Sequence, residues 1–133
     1  MLKSSANNAE ILEFIEQWTL LLEKEDYYAA FKMTEHNSAM GWSPELIKEV
    51  IKAYGDSEPM QKVTLLNNGL AIDGRGKIEK AIQRIEIIWF DKTRGDIWYD
   101  LNIDGYVSDL TATFEIERRA NEIVVVLDDI HVM

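Results

Sequence analysis

Apolar residues fall into two periods along the chain, and the change from one to the other divides it. Ile11, Phe14, Ile15, Trp18, Leu21 and Leu22 recur at helical spacing, which predicts a helix over residues 9–22 with Asn7 or Asn8 as its cap. Lys24-Glu25-Asp26 breaks that stripe, and Asp26 starts a short second helix, Tyr27 to Met33. Residues 34–42 read as a loop in which His36 is exposed. Ser43-Pro44-Glu45 opens a third helix with a capping hydroxyl, a proline at the first helical position and an acid in the first turn. Leu46, Ile47, Val50, Ile51 and Tyr54 form its stripe, Gly55 its stop, and residues 56–59 a turn.

Residues 61–67 predict a short strand, and 69–80, with three glycines and no apolar run, a basic loop. Gly74-Arg75-Gly76-Lys77 is followed by Ile78 where a phosphate loop needs Ser or Thr. From Ala81 the period is two. Ile85, Ile87 and Trp89 share one strand face, with Ile88 and Phe90 on the other; Ile97, Tyr99, Leu101 and Ile103 alternate with Trp98, Asp100, Asn102 and Asp104. Leu110, Ala112, Phe114 and Ile116 alternate with Thr and Glu, which predicts a sheet with one wet face. The last run, residues 123–127, is apolar on both faces and belongs in the sheet interior. The expectation is an α+β fold in one domain over residues 1–133: three N-terminal helices on a curved, mainly antiparallel sheet of four to five strands.

Charge narrows the function classes. The formal net charge is −10. Residues 1–60 carry 11 acids and 5 bases, residues 61–97 carry 5 and 7, and residues 98–133 carry 8 and 2. Two acidic ends argue against nucleic acid and for solubility or a basic partner. With zero cysteines, no apolar leader and no run of about 20 apolar residues, the reading is a cytoplasmic chain without a membrane span.

Three groups are candidates for chemistry. Asp100-Leu101-Asn102-Ile103-Asp104-Gly105 matches the start of a calcium loop, but position twelve is Thr111 instead of Glu and the flanks alternate as strands, so strand end and Asp-Gly turn explain it; no metal or cofactor is expected. Asp129 and His131 fall on one strand face with Asp128 on the other: an acid/base pair, two metal ligands, or the polar residues that a strand end wears. Trp89, Trp98 and Tyr99 cluster on adjacent strands and, with Trp18 of the first helix, are either core or the lining of an apolar pocket.

The order of helices then strands, and an ending in which TATFEIE, a charged hairpin and IVVVL close on Asp129-Ile130-His131-Val132, resembles the NTF2-like (cystatin-like, ketosteroid-isomerase-like) superfamily. The segment WYDLNIDGYVSDLTATFEI also resembles small bacterial proteins of unknown function. The resemblance implies a sheet wrapped round the first helix as a cone with a pocket at its open end, and a homodimer joined through the outer sheet face. That superfamily holds isomerases, dehydratases, ligand-binding domains and non-catalytic partners, so fold does not select function. The expectation is a non-enzymatic module for a small apolar ligand or a protein partner, for example an immunity-type protein facing a basic toxin. The alternative is an isomerase or hydro-lyase with Asp129 or Asp100 as base and His131 or Tyr99 as acid or oxyanion donor.

Overall fold

In a computed structural model describing residues 2–54 and 61–132, three helices pack against one curled, mostly antiparallel sheet. Helix α1 spans Asn8–Glu23. It begins at a capping box in which Asn7 Oδ1 accepts the Glu10 N–H at 2.9 Å and Glu10 Oε1 accepts the Asn7 N–H at 3.3 Å. Helix α2, Tyr27–Met33, is capped by Asp26, and α3, Pro44–Lys52, by Ser43. The expected Gly55 stop and the turn at 56–59 lie outside the described residues.

The sheet has nine strands among the described residues, not the four to five expected. Strands β1 (Leu2–Lys3), β2 (Glu35–His36), β3 (Val63–Thr64), β4 (Leu70–Ile72) and β5 (Ile78–Lys80) are two or three residues long. Strands β6 (Ile85–Trp89), β7 (Arg94–Ile103), β8 (Tyr106–Arg118) and β9 (Glu122–Val132) form the body. Because β1 precedes α1 and β2 falls between α2 and α3, the helices are interleaved with strands and do not form a separate N-terminal layer. The stretch 69–80, expected as a loop, is the β4–β5 hairpin, with β4 also bridged in parallel to β8 at Ala71–Val107. His36 is not a free loop residue: β2 runs parallel to β9, and the imidazole stacks on Phe31 with ring centroids 4.0 Å apart.

β7 and β8 are joined by Asp104-Gly105, both at positive φ, a two-residue turn whose twist suits a hairpin. At the other end of β7, a Cβ on Gly95 would collide with the backbone of Ile88, so the strands there approach closer than any side chain allows. β9 has β8 on one edge and β1 and β2 on the other, so it lies inside the sheet, with Val124 and Val125 buried and Val126 half-buried. The core lies between α1 and the inner sheet face. Ile11, Ile15, Trp18 and Leu22 meet Ile97, Tyr99, Leu101, Phe114 and Leu127, all at most 1% exposed.

Candidate functional site

The face of the sheet turned away from the core is built in rows by the strand register. Trp98 lies between Glu86 of β6 and Thr113 of β8, and Thr113 is opposite Asp129 of β9. The next row is Asp100, Thr111 and His131; on the other side it is Ile88, Asp96, Glu115 and Val126. Alternation would send Asp128 to the inner face. The register shifts between Thr113 and Phe114, however, so that Phe114 pairs with Leu127 and Thr113 with Asp129, and Asp128 is the extra residue of a bulge. The bulge keeps Leu127 and Ile130 both in the core. It also brings Asp128 into a shallow depression of about 150 Å³ with Asp96, Trp98, Thr113, Glu115 and His131. A second depression of about 160 Å³, lined by Phe90, Arg94, Glu117 and Val126, shares Asp96 and Glu115 with it, so the two form one groove across the strands.

Asp96 is the electrostatic centre of this groove. Partial burial raises its carboxyl pKa above the ordinary 3.8, and the nearby Asp128 charge adds to the rise. Glu115 is directly opposite on β8, a like-charge cross-strand pair. Asp128 is fixed by Asn37 Nδ2, which donates to its Oδ1 at 2.7 Å, and by the Trp42 indole N–H, which donates to its backbone carbonyl at 2.9 Å. Among the described residues no lysine or arginine lies within ion-pair distance of Asp96, Glu115 or Asp128.

Asp100, by contrast, is fully engaged. Thr111 Oγ1 donates to it at 2.7 Å and Arg84 Nη2 at 3.3 Å, while the Arg84 guanidinium lies 5.2 Å from the Trp98 ring centre. Asp129 Oδ2 approaches His131 Nδ1 to 3.0 Å without hydrogen-bond alignment, and its other oxygen accepts the Ile130 N–H at 2.8 Å. Asp100 and His131 stand two strands apart, about 10 Å at the usual strand spacing.

The structure divides the sequence candidates between the two faces. Trp98, Asp100, Asp129 and His131 are outside, whereas Trp18 and Tyr99 are buried inside, Trp18 edge-on to Phe114 at 5.0 Å. Burial raises the Tyr99 pKa, and its hydroxyl is turned toward Thr19 and Gln83, away from either carboxylate. Trp89 is half-buried on the inner face, its indole donating to Asn8 Oδ1 at 2.8 Å beneath the Arg118 guanidinium. The three tryptophans therefore do not line one pocket, and Tyr99 cannot act with Asp100, Asp129 or His131. In the acidic turn the side chains diverge: Asp100 to Arg84, Asn102 Nδ2 to the Leu65 carbonyl, Asp104 to the Lys62 N–H. No group of three or more His, Asp or Glu among the described residues is arranged to hold a metal ion.

Sequence reasoning missed Asp96, Glu115 and the outward Asp128. The first was visible as Asp96-x-Trp98-x-Asp100, one strand face with acids on either side of an indole; the other two depend on register. No curated protein and no solved structure matches the chain. A family model described as Domain of unknown function (DUF7668) matches residues 19–133, a span that includes every strand of the groove. The chain belongs to this family, DUF7668.

Proposed function

We propose that the protein is a partner-binding module whose outer sheet face docks a basic protein segment. The observation that carries this reading is the trio Asp96, Glu115 and Asp128, held beside Trp98 with no ion pair to any of the three among the described residues, although Arg94 lines the same groove and Arg84 lies over the indole. A carboxylate opposite a carboxylate in a sheet destabilises the fold. An arriving ammonium or guanidinium relieves that repulsion, and the indole face and Phe90 offer its aliphatic stem apolar contact. The curled sheet around α1 supports an NTF2-like ancestry, in which such non-catalytic partners are at home.

The test is titration with a fluorescent Arg-rich peptide at low and high salt. The Asp96→Asn/Asp128→Asn variant is expected to weaken affinity about 10-fold. A charge-matched control on exposed helix positions, Glu13→Gln/Glu49→Gln, should change it less than about 2-fold. Equal losses in both variants would reduce the effect to net charge and remove the site.

The Asp129–His131 contact favours a second reading, an acid/base pair serving a small substrate in the same groove. Its mark is turnover of a carbonyl acid substrate that His131→Gln abolishes while peptide affinity stays unchanged.

A further inference from the structure

Among the described residues, strand β6 leaves one edge of the sheet unpaired. Its residues pair with β7 from Ile85–Tyr99 to Trp89–Gly95 with no register shift, and no strand pairs with its other edge among the described residues. The sequence Ile85-Glu86-Ile87-Ile88-Trp89 has one charge and no proline, and Ile85, Ile88 and Phe90 are 38%, 41% and 66% exposed. Other outer strands are kept safe in familiar ways: β1 and β2 are two residues long, and β5 is Ile-Glu-Lys.

The direction of its backbone groups fixes what can pair. The Phe90 N–H bonds to the Arg94 carbonyl at 2.8 Å and the Arg84 carbonyl accepts the Asp100 N–H at 3.0 Å, so even-numbered residues turn toward β7. Ile85, Ile87 and Trp89 therefore present both N–H and C=O outward. We infer that β6 pairs antiparallel with β6 of a second copy of this chain about a two-fold axis at Ile87. In that register Ile87 faces Ile87 of the second copy and Ile85 faces Trp89, so each outward N–H meets an outward C=O. Glu86 faces Ile88, and Arg84 faces Phe90. No carboxylate is directly opposite a carboxylate; the two Glu86 side chains are diagonal, each with its own Arg84 nitrogen at 3.8 Å. A heterologous strand would have to reproduce this alternation, whereas a second copy does so by symmetry.

Such pairing joins the two sheets and places the two acidic grooves on one continuous face, with Phe90 at the rim of each groove facing Arg84 of the second copy. It involves the strand edge and not the outer face through which the superfamily resemblance implied dimerisation.

The chain has no cysteine, so one introduced thiol reports its neighbour. Ile87→Cys would stand opposite its symmetry mate with Cα atoms about 5.5 Å apart, within disulfide reach. The full chain is expected to sediment as a dimer at tens of micromolar, Ile87→Cys to cross-link under mild oxidation, and the control Ile72→Cys on β4 to stay uncross-linked. Ile85→Lys, at a partly exposed position, should give a folded monomer by circular dichroism. A monomer at all concentrations for the unmodified chain overturns the inference. So does a dimer that persists in Ile85→Lys while Ile87→Cys fails to cross-link, because the copies then meet elsewhere.

Discussion

Trp18 shows how one buried group limits what the inner face can do. It is fully buried at the centre of α1 and packs edge-on against Phe114, ring planes 84° apart, but its indole N–H finds no acceptor among the described residues. A desolvated, unpaired donor costs about 1–3 kcal/mol, and the ring's apolar burial has to offset it. Trp18→Phe removes that donor together with part of the ring volume, so the two effects oppose each other and the net loss should stay under about 2 kcal/mol. Trp18→Ala leaves a cavity and should cost about 3–5 kcal/mol. Urea unfolding of the two variants measures the difference; comparable losses would mean the indole N–H is satisfied in solution. The same residue bears on the pocket expected beneath the sheet. With Trp18, Tyr99 and Phe114 interlocked there, the inner face is packed, and the chemistry moves to the outer one.

Among the elements, β2 gives the clearest pH response. His36 is clamped between Phe31 and β9, with Thr34 Oγ1 3.4 Å from its Nε2. Burial lowers its pKa below 6.5, outweighing the Phe31 backbone hydrogen bond and the Glu35 charge that raise it. A lowered folded pKa means the neutral ring is favoured in the fold. Its contribution is complete above pH 6.5 and is lost as the pH falls through the folded value. In a His131→Gln background, melting temperature should therefore drop on acidification below pH 6.5, and His36→Phe, which keeps the stack without the titration, should reduce that drop. An unchanged pH profile in His36→Phe would place the titration elsewhere. β2 also shows why part of the fold was hidden from the sequence. Helices carry their own evidence in local stripes and caps such as Asn7-Glu10 and Ser43-Pro44, β7 and β8 show alternation over ten or more residues, and β9 shows a continuous apolar run. Two-residue strands such as β1 and β2 have no period; their partner on β9 defines them. Asp128 was assigned to the wrong face for a related reason, since alternation is blind to a one-residue bulge, and the Asp96–Glu115 opposition appears only when β7 and β8 are in register.

At the scale of the whole molecule, a formal charge of −10 on 133 residues repels itself, and the outer face concentrates that repulsion. The carboxyl of Asp96 has a raised folded pKa, so its ionised form is disfavoured in the fold: stability is highest where the group is protonated and falls as the pH rises from the unfolded carboxylate value, 3.8, through the folded one. At neutral pH the residue is therefore a cost. Asp96→Asn keeps the shape, removes the opposition to Glu115 and the repulsion from Asp128, and should stabilise the protein by a few tenths to about 1 kcal/mol, less at high salt. A residue that destabilises its own fold and has no ion-pair partner among the described residues is best understood through what it meets outside. The two readouts must then move in opposite directions in the same variant, with the urea midpoint up and affinity for the Arg-rich peptide down. If the midpoint rises and the affinity holds, Asp96 is a misplaced charge and the groove has no docking role; if the midpoint falls, the carboxylate is held by a cation the fold supplies, and the electrostatic premise itself fails.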